Sequence, residues 1–353
     1  MNDAPAPIAL KNLQTALTRL DGRLTASDQL HEILRLGFGT LPRPGSGSTL
    51  QRWQALATVA EHSLTLAKLY EGHTDALAIL AELHDEPHEA HDANDALSAQ
   101  SWGVWAAEAP NRRVLITRLD GAAVQLDGCK CWCSGAHTVS DGLLTAWHTD
   151  GSGPQLVQVA MQQSGVSVSS EAWAAVGMAE SASVDVNFFN AQGRLVGRPG
   201  EYLSRPGFWQ GGAGIAACWY GGAMGLGLAL HRALADSPQS LRGPFKMAAL
   251  GKVDLALHST ALLLRSSAQW IDNNPQADAG TLALRVRLSA ETCAKIVLDE
   301  AGRALGAAAF CHDGRFARAA ADLPVFIRQS HAERDFAALA ERLIATDCTL
   351  WQL

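Results

Sequence analysis

The order of hydrophobic periodicities along the chain restricts its possible folds more than any other feature of the sequence. Residues 1–98 and 205–353 repeat apolar residues at helical spacing, as in "LKNLQTALTRL" at 10–20. Residues 99–204 instead contain short β-rich runs, such as "RVLITRLDG", separated by glycine, aspartate and asparagine. Strands at this spacing favour a barrel or a sandwich. The sequence therefore predicts an α+β protein with a helical domain at 1–98, a β domain at 99–204 and a second helical domain at 205–353.

The last of these regions is expected to contain four long helices, at 213–236, 245–272, 278–306 and 314–346. Four helices of this length favour an antiparallel bundle. Pro324 lies within the fourth, and proline both lacks an N–H and clashes with the preceding turn. It should therefore start a new helix or kink the existing one.

The segment "GCKCWCSG" at 128–135 places three cysteines at every second position. Such alternation predicts a strand with the cysteines on one face and Lys130, Trp132 and Ser134 on the other. A tetrahedral metal site or a disulfide is the alternative, but thiolates bind metal best when they converge from a tight turn. Because a free cysteine behaves as a small buried hydrophobe, the row favours a core-facing strand.

Charge and cysteine content narrow the classes of protein and the compartment. The chain has a net charge of −7, and its acidic balance argues against a nucleic-acid partner. Seven cysteines without framework spacing fit a reducing cytosol. The N-terminus lacks the pattern of a signal peptide, and the longest apolar stretch, 211–230, is rich in glycine and interrupted by Trp219 and Tyr220. We expect a soluble cytoplasmic protein.

The segment "LDGCKCWCSGAHTVSDGLLTAW" at 126–147 resembles the G-x-K-x-W-I-T/S-N-G-x-x-A-D segment of the acyl-CoA dehydrogenase superfamily. The resemblance includes the α, β, α order and covers nearly the whole chain. It implies a middle β-barrel and a C-terminal four-helix bundle with FAD between them, in a homodimer or homotetramer whose subunits share each flavin site. On this match Trp132 would lie against the flavin ring and Ser134 would hydrogen-bond near its N5 edge.

Two further segments resemble cofactor-binding segments of the same family. "WGVWAAEAP" at 102–110 is similar to the strand that ends in T-E-P, so that Trp105 and Ala107 take flavin-side positions. "RALGAAAF" at 303–310 is similar to Q-x-x-G-G-x-G-[YF], which in the family approaches the FAD of the neighbouring subunit. The resemblance therefore implies that Arg303 and Gly306 contribute to FAD binding.

The family's catalytic glutamate is missing from the sequence. Acyl-CoA dehydrogenases remove the α-proton of a thioester with a glutamate, and a hydride passes from the β-carbon to flavin N5. In "ADLPVFIRQSH" at 321–331 the glutamate position falls at Ser330, with His331 next to it, and the alternative base position falls at Ile215. A positioned base contributes roughly 10²–10⁴ in rate, and His331 is a candidate because imidazole titrates near neutral pH. Ser330 and His331 are thus the candidate catalytic residues.

Three functions remain open at this point. α,β-Desaturation of an acyl-CoA or related thioester, with electrons passed to an acceptor protein, is what the resemblance implies first. A flavin-dependent monooxygenase of the same fold, which uses oxygen and needs no α-proton base, is the second. A member of the superfamily without catalytic activity is the third.

Other motifs are given structural interpretations. "GAGIAA" at 212–217 fits a dinucleotide-binding fingerprint, but no strand precedes it, and close helix packing is favoured. "EGHTDA" at 71–76 is interpreted as a hydrogen-bonded cluster rather than as a displaced base, and the three histidines in 84–96 as an exposed connection rather than a metal site.

Overall fold

The α, β, α order predicted from the sequence is present in the computed structural model, which describes residues 9–83, 100–169, 173–345 and 351. The histidines of 84–96 lie outside the described residues. By contact density the chain forms two compact units. One comprises 1–43 and 65–208, and the other comprises 44–64 and 209–353. The division into three domains stays a prediction.

The described residues of the N-terminal region form four helices, and local sequence signals fix several of their ends. They are α1 Leu10–Arg19, α2 Ala26–Ile33, α3 Thr49–His62 and α4 Leu64–Leu83. α2 begins with a capping box, in which the Thr25 side chain accepts from the backbone of Asp28 and the Asp28 side chain accepts from the backbone of Thr25. α3 and α4 are separated because Ser63 adopts an extended conformation.

Seven strands follow within the described residues, and their pairing closes the sheet on itself. They are β1 Trp102–Trp105, β2 Val114–Asp120, β3 Ala123–Cys133, β4 Asp141–His148, β5 Pro154–Ala160, β6 Val166–Val168 and β7 Val184–Val196. The order β4-β2-β3-β7-β5 returns to β4 through a β4–β5 pairing, with β1 added beside β4 and β6 beside β7. The enclosed core contains Trp105, Leu126, Leu144, Val157 and Val186.

The C-terminal region is helical. Its second and third long helices match the predicted ones within two residues, the first begins at Pro206 rather than at 213, and the last is divided. The helices are α5 Glu201–Ser204, α6 Pro206–Ala235, α7 Pro244–Asn273, α8 Gly280–Leu305, α9 Ala307–His312, α10 Gly314–Phe326 and α11 Glu333–Ile344. The predicted helix 314–346 is divided into α10 and α11. Pro324 lies inside α10, and a 3-10 turn at Ile327–Gln329 follows directly after the end of α10 at Phe326.

Glycine allows α6 to pack closely on α3 within the second unit. A Cβ atom at Gly221 would lie 2.2 Å from the carbonyl oxygen of Ala57, so no larger residue fits there. "GAGIAA" lies inside α6, which agrees with helix packing rather than dinucleotide binding.

In the part of the chain that the structure describes, two helices, α6 and α7, are long and apolar enough to cross a membrane by length and composition alone. The most apolar window of α6 is 72% buried inside the protein, as is typical of a core helix. That of α7 is only 28% buried, and Leu255 and Leu262 are exposed on its surface. α7 therefore presents an apolar face that the described residues leave uncovered.

Candidate functional site

A bulge in β3 determines which side chains of "GCKCWCSG" face the core. The register between β3 and β7 shifts between Lys130 and Cys133, and Trp132 has a φ of 57°, a left-handed conformation that is rare for a bulky residue. Lys130 and Cys133 both point inward and are buried, whereas Trp132 is 53% exposed. The expectation of a core-facing row of three cysteines was therefore wrong. Cys133 faces the core, but Cys129 and Cys131 lie on the opposite face and Lys130 points inward in their place. The bulge inserts an extra residue, which puts Cys133 on the other face from Cys129 and Cys131.

Trp132 and Ser134 lie at the end of β3, where the predicted flavin contacts fall. Ser134 Oγ lies 2.7 Å from Ser183 Oγ, and the Ser134 carbonyl accepts a hydrogen bond from Trp105 Nε1 at 3.1 Å. Ser134 is held by these contacts, while the exposed indole of Trp132 offers a flat apolar surface on which an aromatic ring could stack.

The predicted contacts from β1 take different positions. The Trp105 side chain is buried against two glycines, since a Cβ atom at Gly103 or Gly142 would come within 2.6 Å or 2.3 Å of its ring. Ala107 follows β1 and is exposed. At Trp105 only the backbone can therefore reach a ligand, and its indole supports Ser134 instead.

Lys130 belongs to a buried polar network that the sequence analysis did not anticipate. Its ammonium, on a side chain only 2% exposed, contacts Glu108 Oε1 and Thr145 Oγ1, both at 2.7 Å. Trp147 Nε1 donates to the other carboxylate oxygen of Glu108 at 3.0 Å. Burial would raise the pKa of Glu108, but the hydrogen bonds from Lys130, Thr145 and Trp147 lower it overall. The network holds an ionised Glu108 at the end of β1.

In the second unit Ser330 and His331 are brought together with Asp335 at the start of α11. The carboxylate of Asp335 accepts from His331 N at 3.1 Å, lies 3.3 Å from His331 Nδ1, and lies 3.4 Å from Ser330 Oγ. Ser330 and Asp335 are buried, whereas the His331 side chain is 60% exposed. Ala332 has a strained left-handed φ of 48° that turns the chain at this point. Asp335 thus fixes an imidazole whose other nitrogen remains accessible.

Glu291 of α8 lies beside Ser330, and the sequence analysis named neither Glu291 nor Asp335. Its carboxylate pairs with Lys295 and lies 3.7 Å from Arg328, and its Oε2 has no hydrogen-bond partner among the described residues. Burial works to raise the pKa of Glu291, but the side chains of Lys295 and Ser330 and the charge of Arg328 lower it overall. Glu291 is therefore a weak base despite its burial.

Arg303 and Gly306 occupy the end of α8. Arg303 is 63% exposed and pairs with Asp299 and Glu300, both at 2.8 Å. Gly306 has φ 68° and ψ −169°, a conformation restricted to glycine, and it separates α8 from α9. The helix end alone is sufficient to explain this glycine.

The first unit contains an open cavity of about 290 Å³ beside the loop that follows Ser134. His31, His137, Thr138 and Met161 are among its lining residues, and the sequence analysis named none of them. His73 is buried in α4 with Nε2 3.1 Å from the Gly39 carbonyl, as expected of a structural cluster in "EGHTDA".

Comparison with known proteins finds solved structures of the same fold. No family model matches the chain, and no curated protein matches it in sequence. The dibenzothiophene monooxygenase TdsC from Paenibacillus sp. A11-2 is 18% identical, with 95% of each chain covered and a TM-score of 0.78. The methanesulfinate monooxygenase MsuC from Pseudomonas fluorescens is 15% identical, with 98% of each chain covered and a TM-score of 0.75.

A probable acyl CoA dehydrogenase from Mycobacterium abscessus is similar to the same extent. It is 15% identical over 95% of this chain and 97% of its own, with a TM-score of 0.77. TdsC has also been solved with FMN bound, and that structure gives a TM-score of 0.79 at 18% identity over 95% of each chain. At these identities it is the fold that is shared: the chain has the fold of the acyl-CoA dehydrogenase superfamily.

Proposed function

We propose that the chain is a flavin-dependent oxidoreductase and that it acts as a monooxygenase on a small molecule. The observation that carries this proposal is Ser330. It takes the position of the dehydrogenases' glutamate, and it is buried and tied to Asp335. The second base position is the buried, apolar Ile215. A reaction that needs no α-proton base suits such a site better than desaturation does.

The residues at the end of β3 fit a flavin. The half-exposed indole of Trp132 presents a planar apolar face, and a planar ring could stack on it and cover it. Ser134 supplies a hydroxyl next to that wall. When bound and reduced, the flavin would supply the electrons that activate oxygen.

The cofactor expected from the resemblance is FAD, with Arg303 and Gly306 near its adenylate half. FMN is the alternative, because TdsC and KijD3, two proteins of the same fold, have been solved with FMN. The positive charge of Arg303 is already neutralised by its ion pairs with Asp299 and Glu300, so Arg303 is less suited to bind the anionic part of FAD. Chromatography of the flavin released by heating the protein would separate the two cofactors.

His331 is the residue that would exchange a proton with the substrate. Asp335 holds its Nδ1, so that Nε2 is the nitrogen presented outward. An oriented imidazole of this kind can give or accept one proton as one oxygen atom enters the substrate and the other leaves as water.

α,β-Desaturation of an acyl thioester is the second candidate, because a probable acyl CoA dehydrogenase shares the fold. It would require His331 or Glu291 as the base. The ion pairs of Glu291 lower its pKa and make that carboxylate a weak base, which leaves His331 as the candidate.

Assembly and location belong to the same proposal. The exposed apolar face of α7 supports a homodimer or homotetramer, since monomers rarely leave a large apolar patch in water. The partners would be oxygen and a source of reduced flavin for a monooxygenase, or an electron acceptor protein for a dehydrogenase. The cysteine content supports a cytoplasmic location.

A flavin titration followed by two activity assays tests the proposal. We expect FMN or FAD to bind, and we expect oxygen consumption that depends on an added flavin reductase and on substrate. Anaerobic bleaching of bound flavin by acyl-CoA would instead support the dehydrogenase. Failure to bind either flavin at high micromolar concentration would leave a protein without this catalytic activity.

Two variants separate a proton-transfer role of His331 from a structural one. His331→Asn and Asp335→Asn should lower turnover by at least tenfold without changing flavin affinity. His258→Asn, on the exposed surface of α7, should leave both unchanged. Raising the pH should not restore turnover in either variant. If the two residues had only a structural role, the variants would instead show a changed free energy of unfolding.

A further inference from the structure

Two cysteines and one aspartate converge on the outer face of the closed sheet. Cys129 and Cys131 lie on β3 and point away from the core that holds Lys130, and Asp185 lies opposite them on β7. One ligand atom from each of the three residues lies within 4.8 Å of the other two. Cys131 is buried, whereas Cys129 and Asp185 are partly accessible, so the cluster opens to solvent on one side.

Arg112 occupies the same cluster. Its guanidinium pairs with Asp185 at 2.7 Å and donates to Cys129 Sγ at 3.3 Å. The backbone of Arg113 approaches β3 closely at Gly128, where a Cβ atom would lie 2.1 Å from the Arg113 carbonyl oxygen. Glycine at this position therefore allows the segment with Arg112 to lie next to the cysteines. Arg112 supplies a positive charge to a group of soft and anionic ligands, and its side chain is half exposed.

We propose that Cys129, Cys131 and Asp185 bind a thiophilic divalent cation such as Zn²⁺, which replaces the guanidinium of Arg112 as the positive charge. Thiolate sulfur and a carboxylate oxygen are zinc ligands, and tetrahedral coordination at about 2.3 Å would bring the ligand atoms roughly 3.7 Å apart. Side-chain rotations that move the ligand atoms by about 1 Å would bring them from their present separation, within 4.8 Å, to this distance. Three protein ligands leave a fourth position open on the exposed side.

A metal explains the cluster better than a disulfide does. Residues i and i+2 of a strand have Cα atoms about 6.6 Å apart, at the upper limit for a disulfide. A disulfide would also involve only the two sulfur atoms, whereas a cation binds all three ligand atoms of the cluster.

The test is metal binding to the reduced full-length protein. We would titrate Zn²⁺ against a chromophoric chelator and Cd²⁺ by its thiolate charge-transfer absorption, which reports sulfur ligands alone. One equivalent should bind. Cys129→Ser and Asp185→Asn should each weaken binding at least tenfold, since even outer partners of a site contribute that much.

Two further variants keep the outcome decisive. Arg112→Gln should tighten binding several-fold, because it removes a like charge from the site. Cys311→Ser, an exposed cysteine on α9, should leave the affinity unchanged. Absence of thiolate absorption in the wild type, or equal affinities in the Cys129→Ser and Cys311→Ser proteins, would overturn the proposal.

Discussion

The Glu108–Lys130 pair predicts that removing the acid costs more stability than removing the base. In Glu108→Gln the ammonium of Lys130 stays buried, with only neutral acceptors from Thr145 and the new amide. Breaking a buried ion pair by removing one partner costs about 3–5 kcal/mol. We expect a value at the lower end, about 3 kcal/mol, because the Glu108 side chain is one-third exposed and water can partly relax the site.

Lys130→Met has a different consequence. Methionine fills most of the space with apolar atoms, and Glu108 keeps its contacts with Thr145 and Trp147 as well as access to water. The loss should be about 1 kcal/mol, the size of one ordinary hydrogen bond. The double variant should be no less stable than Glu108→Gln alone, because no unpaired ammonium remains.

Urea unfolding at pH 7 measures these differences, provided that the slope of the transition is unchanged. Glu341→Gln, an exposed residue on α11, is the matched control and should change the free energy of unfolding by less than about 0.5 kcal/mol. If Lys130→Met were the more destabilising of the two, or if both equalled the control, the network would not be the stabilising element inferred here.

The same pair gives a pH dependence with a defined sign. The pKa of Glu108 is lowered in the folded protein, so its stabilising contribution is complete above the ordinary carboxyl value of 4.5. It is lost as the pH falls through the lowered value. The stability advantage of the wild type over Glu108→Gln should therefore shrink from pH 4.5 downward. A margin that grew on acidification would contradict the sign.

Three further predictions follow from single residues. Trp132→Ala should weaken flavin binding about tenfold in a fluorescence titration, with the free energy of unfolding unchanged, whereas Phe189→Ala, another exposed aromatic, should change neither. Gly306→Ala should cost about 1–3 kcal/mol in urea unfolding, while Gly251→Ala, in open space on α7, should stabilise by about 0.5–1 kcal/mol. Leu255→Glu should lower the assembled mass in light scattering while the helical circular dichroism is retained.

The helices and most strands were predictable because their signals are local. Leucine spacing at 10–20 anticipates α1, and threonine followed three residues later by aspartate anticipates the start of α2. The start of α3 could not be read in this way. The N–H of its first residue, Thr49, donates to the carboxylate of Asp272, which is 223 residues away in the chain.

The candidate site was predictable only where its residues are neighbours in the sequence. Ser330 and His331 are neighbours in sequence, so one segment identified both. The sequence analysis did not name Asp335, although its spacing of four from His331 was a usable signal on a helix. Glu291 and His137 gave no signal, because only the tertiary fold brings them next to Ser330 and beside the cavity of the first unit.

The bulge at Trp132 separates two kinds of chemistry on one strand. In a regular strand Ser134 would follow Lys130 and Trp132 onto the inner face, and Cys133 would join the outer cysteines. The extra residue keeps Lys130 and Cys133 inside, paired with Val186 and Val184 of β7. It also turns the indole outward. The left-handed conformation costs about 1–2 kcal/mol, and the pairing on both sides of the bulge must supply it. A change that removed the bulge would therefore disturb both the exposed face of Trp132 and the cysteine cluster. A change at Arg112 would affect only the cluster.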